Sequence, residues 1–302
     1  MKILNFGSLN LDYVYHVDHF VRAGETISSV DLQLFCGGKG LNQSIALSSA
    51  GARVYHAGAV GKDKGDILLN TLIDSGVDVS FVRCKDVQTG HAIIQIQPDG
   101  ENCILLYGGA NKTLDEQDID ITLQAFEKDD YLILQNEVNN MPYIMKQAYE
   151  RGMKIVLNPS PMNDEILKLP LSYVDYFILN EIEIEAFVPE KISINDRLSI
   201  LSRKFPIAGI VLTLGSKGVV YQGPEGSFKH GRYKVDAVDT TAAGDTFTGY
   251  FIAMISDGYN IGKALEYASK AAAIVVSRKG AAVSIPKLTE VVNADLTLLN
   301  TI

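Results

Sequence analysis

The residues best suited to chemistry lie in Val238-Asp239-Thr240-Thr241-Ala242-Ala243-Gly244-Asp245-Thr246-Phe247-Thr248-Gly249. Small residues run there directly into a helix start, where backbone amides lie bare and the helix dipole adds positive potential. Such a turn suits the negative charge that develops as a phosphoryl group moves. Asp245 stands in the first helical turn beside it, placed to accept a hydroxyl proton. For an isolated Gly-Asp, capping preference alone would explain the acid, so its surroundings must decide.

Four further segments carry suitable donors and acceptors. Phe35-Cys36-Gly37-Gly38-Lys39-Gly40-Leu41-Asn42-Gln43 pairs glycines that allow close backbone approach with the hydroxyl-binding groups of Lys39 and Asn42. Taken alone, Gly-Gly-Lys-Gly is also an ordinary solvated turn. Gly7-Ser8-Leu9-Asn10-Leu11-Asp12 places Asn10 and Asp12 two apart, on one side of a strand, where they suit a diol or a polar strand edge. Asn180-Glu181-Ile182-Glu183 reads as a helix cap closed by its third residue. Thr213-Leu214-Gly215-Ser216-Lys217-Gly218 is a glycine turn after an apolar run, with Lys217 read as solvated.

Apolar runs at 3–6, 54–59, 131–135, 155–158, 176–180 and 210–214 alternate with helical patterns at 41–50, 66–74, 142–151 and 181–187. That rhythm predicts a mostly parallel sheet covered on both faces. Gly51, Gly76 and Gly152 sit where left-handed helix C-caps belong. Segments 11–17, 29–35, 90–97 and 102–107 alternate like strands without intervening helices, the last two around Pro98-Asp99-Gly100. They predict a small β-layer, within about 11–35 and 89–108, projecting near the carboxyl ends of the main strands as a lid. His91 and Gln95 alternate on one lid strand and read as a solvated face, or as contacts to an unusual substrate. A long helix pair at 244–255 and 262–277 closes the chain, which reads as one domain over 1–302 with no internal repeat or linker.

With 27 basic against 36 acidic residues in 302, the net charge of −9 argues against a nucleic-acid or anionic-membrane partner. A phosphate-handling protein of this charge needs backbone amides, a few placed cations and a metal. Cys36, Cys84 and Cys103 are too few for a disulfide framework and read as reduced thiols of a cytoplasmic protein. No apolar run approaches membrane length. The chain has no G-x-x-x-x-G-K-[ST] loop and no G-x-G-x-x-G after its first strand, which disfavours the common nucleotide-binding folds of those types.

The 238–249 segment closely resembles the D-T-x-[AG]-A-G-D-x-F-x-G signature of the ribokinase branch of the PfkB carbohydrate kinases, and the other segments resemble its remaining motifs in order from Gly7 to Ser284. The resemblance implies a three-layer α/β/α sandwich with a small β-sheet lid, and transfer of the γ-phosphoryl of ATP to a primary hydroxyl. Ribose phosphorylated at its 5-hydroxyl is the expected reaction. Fructose, a deoxysugar acid, an adenosine-like nucleoside and a non-catalytic sugar- or nucleotide-binding regulator are the alternatives. A sugar phosphate would need lid cations, and none lies between Asp86 and Asn111.

By the same resemblance Asp245 is the base, and Ala242, Ala243 and Gly244 form the anion hole. Asn10, Asp12, Gly38, Lys39, Asn42 and Glu137 contact the sugar, although Asn136 stands where the pattern usually has an apolar residue. Asn180, Thr213, Gly215, Gly218 and Gly244 serve the nucleotide, and Glu183 holds Mg²⁺ through water. Asp239, Thr241, Val275, Arg278, Gly280 and Ser284 enclose K⁺, mostly through carbonyls, a donor set suited to that ion. A homodimer through exposed lid edges is also expected.

Overall fold

The computed structural model describes residues 1–300. The first half of the chain runs β1 (Ile3–Phe6), β2 (Asn10–His16), β3 (Asp31–Gly37), α1 (Lys39–Ser49), β4 (Val54–Gly61), α2 (Gly65–Asp74), β5 (Asp78–Lys85), β6 (Gly90–Ile96), β7 (Asn102–Tyr107), α3 (Glu116–Leu123), β8 (Tyr131–Gln135) and α4 (Met141–Glu150). The second half runs β9 (Lys154–Asn158), β10 (Tyr176–Asn180), α5 (Glu181–Phe187), α6 (Ile194–Lys204), β11 (Gly209–Thr213), β12 (Val219–Gly223), β13 (Gly226–His230), β14 (Arg232–Tyr233), α7 (Ala243–Ser256), α8 (Ile261–Val276), α9 (Leu288–Asn293) and β15 (Leu298–Leu299).

The large sheet has nine strands in the order β13-β12-β11-β10-β9-β8-β1-β4-β5, parallel except for the antiparallel β12 and β13. Its central strands read as unbroken apolar runs because both of their faces are covered. Strand alternation sends Ile3, Ile133, Val156, Ile178 and Val211 into one core with α1, α2, α7 and α8. The intervening Leu4, Leu132, Leu134, Phe177, Leu179 and Leu212 fill a second core against α3, α4, α5 and α6. This is the expected α/β/α sandwich. Helices α1 and α7 meet backbone to backbone at Gly249, where a Cβ would overlap the Ala46 side chain. That close approach brings the starts of both helices to the same end of the sheet.

The four expected lid strands form a separate sheet in the order β3-β2-β6-β7, with β2 parallel to β6 and both outer pairs antiparallel. Its strands overrun the expected bounds slightly, because Asn10 pairs with Gly37 at the root of the sheet. Gly100, with φ +89°, closes the β6–β7 turn. Gly51, Gly76 and Gly152 all adopt positive φ at their helix ends, as expected. A two-stranded β14–β15 ribbon completes the chain. Among the described residues no helix is long and apolar enough to cross a membrane.

Candidate active site

Two helix starts frame the site. Helix α7 begins one residue before the expected position, with Ala242 at its N-cap in a left-handed conformation (φ +61°, ψ 6°). An alanine rarely holds that shape, which costs about 1–2 kcal/mol. The Ala243 amide donates to the Thr240 carbonyl at 3.3 Å, and the space beside Gly244 is open. Asp245, in the first turn, is 7% exposed. Each of its oxygens accepts one amide hydrogen bond: Asn42 Nδ2 to Oδ2 at 3.1 Å and Gln43 Nε2 to Oδ1 at 2.9 Å. Both donors lie on α1, whose N-cap is Gly38 at φ +95°. A non-glycine residue at Gly38 would be strained and would crowd the Ser8 carbonyl.

Lys39 opens α1. Its ammonium is held above the usual lysine range, first by the charge of Asp245 and against burial, with Glu137 and Glu183 adding to the effect. It therefore stays cationic among three carboxylates. Burial raises Glu137, opposed by a hydrogen bond from Ser8 Oγ, by the Lys39 charge and by the Lys39 amide, whose nitrogen lies 3.1 Å from Oε2. Asp12, on β2, lies against the backbone of Gly37, where a Cβ would overlap its carboxylate. Burial and then the Glu137 charge push its carboxyl up to about 7. Asn10 is buried, and its Oδ1 accepts from Asn111 Nδ2 at 2.8 Å. Glu137 thus lies between Lys39 and Asp12, while Asn10 pairs with Gly37 at the root of the small sheet.

A polar cleft of about 190 Å³ is lined by Lys39, Asn158, Ser160, Asn180, Glu183 and residues 242–245, among others. It shares Thr213, Thr240, Ala243 and Gly244 with a second cleft of about 370 Å³. The larger cleft is walled by Gly215, Gly218, Tyr233, Phe247 and Ala272, and its apolar walls suit a flat aromatic base. Asn180 and Glu183 close a reciprocal cap: Asn180 Oδ1 accepts from the amides of Ile182 and Glu183, and Glu183 Oε2 accepts from the Asn180 amide at 3.0 Å. Burial raises Glu183, offset by Asn180, Lys39 and Ser160. Lys217 is largely exposed, and its ammonium pairs with Glu181 at 3.0 Å.

The Asp239 loop meets the 275–284 segment. Asp239 accepts from Thr241 N and Oγ1, and from Gly280 N at 3.0 Å. Burial alone would raise its carboxyl, but these bonds outweigh it and leave the group below the ordinary range. The Val275 carbonyl accepts from the Arg278 amide, and Ser284 Oγ donates to the Gly280 carbonyl at 2.6 Å. The Arg278 guanidinium turns away to Glu290. Among the described residues no cluster of three or more His, Cys, Asp or Glu is built to hold a metal.

His91 and Gln95 differ from expectation. They pair in register with Leu11 and Tyr15, whereas Asp12 pairs with Ala92, so they lie on the face of the small sheet opposite Asp12. His91 sits between the rings of Tyr13 and Tyr107, and Gln95 accepts the Val21 amide at 3.1 Å. Both are half-buried framework rather than solvated or substrate-facing. Conversely, Gln43, Gln135, Asn111, Asn158 and Ser160 had no role assigned from spacing. Gln135 had a legible signal, as a polar residue ending a strand that is otherwise apolar.

A model of the pfkB family of carbohydrate kinases matches residues 1–288. A ribokinase of Haemophilus influenzae is 33% identical over 294 residues, covering 94% of this chain and 95% of that one. The ribokinase of Cryptococcus neoformans var. grubii in complex with ADP superposes with a TM-score of 0.84 at 33% identity, covering 96% of this chain and 98% of the other. Arabidopsis thaliana ribokinase complexed with ribose and ATP gives 0.84 at 26% identity, covering 96% and 97%.

Proposed function

The chain belongs to the pfkB family of carbohydrate kinases, and from that premise we propose that it transfers the γ-phosphoryl of ATP to the 5-hydroxyl of ribose. It is a phosphotransferase with an alcohol acceptor. The observation carrying the residue assignment is the place of Asp245, beside the α7 start and Lys39, where a polar cleft joins an apolar one. The apolar cleft takes the nucleotide base, and Thr213, Gly215 and Gly218 follow the nucleotide, with Asn180 near its phosphates. The polar cleft takes the travelling phosphoryl group, whose charge meets the amides of Ala242, Ala243 and Gly244. Asp245 accepts the hydroxyl proton as the new P–O bond forms.

Asn10, Asp12, Gly38, Lys39, Asn42 and Glu137 hold the sugar. Asn42 Oδ1 is buried with no hydrogen-bond partner in the protein, so a sugar hydroxyl donating to it would satisfy a group otherwise left short. The small sheet acts as the lid of one domain, excluding water from the transfer.

Two ions fit this chain. Glu183 spends one oxygen on its own cap, which leaves it suited to a water-mediated Mg²⁺ contact rather than to a dry cage. Bound with ATP, Mg²⁺ supplies neutralisation of the β- and γ-phosphate charge. The Asp239 carboxylate and the carbonyls around residues 275–284, with Thr241 alongside, form a donor set suited to K⁺ and lie one loop from the anion hole. Exposed Leu32, Leu34, Ile104, Leu105 and Tyr107 on the outer lid strands favour a homodimer through the lid, and the three free cysteines suit a cytoplasmic setting.

An ATP-consumption assay with Mg²⁺ over ribose, deoxyribose, fructose and adenosine tests the function. The greatest kcat/KM should fall on ribose. Turnover on none of them would leave a non-catalytic binding protein, and preference for another member would reassign the substrate.

A further inference from the structure

Five fully buried polar side chains lie in one line behind the base, with the half-buried Asn158 at its end, and nothing in the transfer itself requires most of them. Asn5, Gln43, Ser44, His56 and Gln135 are all 0% exposed. His56 Nε2 lies 3.2 Å from the Gly7 carbonyl, which only accepts, so Nε2 carries the proton and Nδ1 accepts. Burial holds this histidine down at about 4, so it stays neutral.

The direction of every other bond follows. Ser44 Oγ donates to His56 Nδ1 at 2.8 Å and accepts from Asn5 Nδ2 at 2.9 Å. Gln135 Nε2 donates to Asn5 Oδ1 at 2.9 Å and to Gln43 Oε1 at 2.7 Å. Gln43 Nε2 is then left to donate, to Asp245 Oδ1 at 2.9 Å and Asn158 Oδ1 at 3.3 Å. Asn158 is fixed in turn by its own bond to the Ile178 carbonyl. Each amide has one permitted orientation, and the line ends with an N–H aimed at the carboxylate.

We propose that Gln43 is a positioning residue for the base, and that the chain from His56 through Ser44, Asn5 and Gln135 exists to lock its amide donor toward Asp245. The carboxylate is held at both oxygens, so it cannot turn about its side-chain torsion and must present its remaining lone pairs to the cleft. Apolar residues could fill the same volume at less desolvation cost. The network even leaves Gln135 Oε1 without a partner. A purely structural core would have no reason to carry that shortfall; orientation of the carboxylate supplies one.

The proposal rests on Asp245 being the base, and the test separates the two. With ribose and ATP, Gln43→Met should lower kcat ~10–100-fold, as for the loss of one hydrogen bond to a charged group, with both KM values within about twofold. In the Asp245→Asn background the same substitution should change single-turnover rates less than about twofold, since its effect passes through that carboxylate. Gln43→Leu also loses the amide donor at similar volume, so it carries the test if Gln43→Met does not fold. Unchanged kcat in the Gln43 variants, or equal losses with and without Asp245, would overturn the positioning role. If Asp245→Asn itself stays within tenfold of wild type, it is the base assignment that fails.

Discussion

Between pH 6 and pH 8 the affinity for ribose should rise about tenfold, and the cause is Asp12. Its carboxyl, crowded over Gly37, is pushed up to about 7 by burial first and by the Glu137 charge second. The folded value lies above the ordinary one, so stability owed to the protonated form is complete below about 3.8 and is lost as pH rises through 7. Near neutrality the empty site therefore holds an ionised Asp12 at a cost, and a sugar whose hydroxyls donate to it relieves that cost. With only the ionised form binding, about a tenth of the enzyme is competent at pH 6 and about nine tenths at pH 8. Burial raises the Glu137 carboxyl in the same direction. Calorimetric titration of ribose into the enzyme at half-unit pH steps reads this directly. Asp12→Asn should bind more weakly and give a far flatter profile. Binding that is level from pH 6 to 8 in wild type, or tighter at the acid end, would refute the reasoning.

Other substitutions probe the framework. Gly90→Ala would thrust a Cβ into Asn111 Nδ2 and Asn10 Oδ1, so the KM for ribose should climb at least ~10-fold, read by steady-state kinetics, as expected when a buried donor pair is displaced. Gly249→Ala presses α7 off Ala46 and should destabilise the fold by about 1–3 kcal/mol, read by denaturant unfolding. His91→Ala removes the ring contacts with Tyr13 and Tyr107 and the 3.1 Å contact of Nδ1 with the Thr89 carbonyl, so it should cost about 0.5–1.5 kcal/mol of stability while leaving kcat/KM for ribose within about threefold.

Segments buried on both sides could be read from the chain, because total burial imposes a continuous apolar run. Strands β1, β8 and β10 carry that mark and fall on their expected residues. Strand β5 does not: it lies at the sheet edge, its exposure alternates, and polar residues interrupt it. The β12–β13 hairpin was likewise hidden, since its second strand is largely exposed. Within the site, residues clustered in short motifs were legible because backbone turns force their neighbours together. Asn5, His56 and Gln135 come from three separate strands and meet only through sheet register, which no local spacing encodes. Their signal is of another kind, a lone polar side chain in an apolar strand, which must find a buried partner. His91 was misread because face assignment depends on the pairing of β6 with β2, and that pairing is non-local.

The central claim, that Asp245 takes the hydroxyl proton where the two clefts meet, is tested most directly by Asp245→Asn under single-turnover conditions with ribose and ATP. Phosphoryl transfer should slow by ~10²–10⁴-fold while ADP affinity stays within about twofold of wild type. A loss of tenfold or less, with nucleotide binding intact, would contradict it.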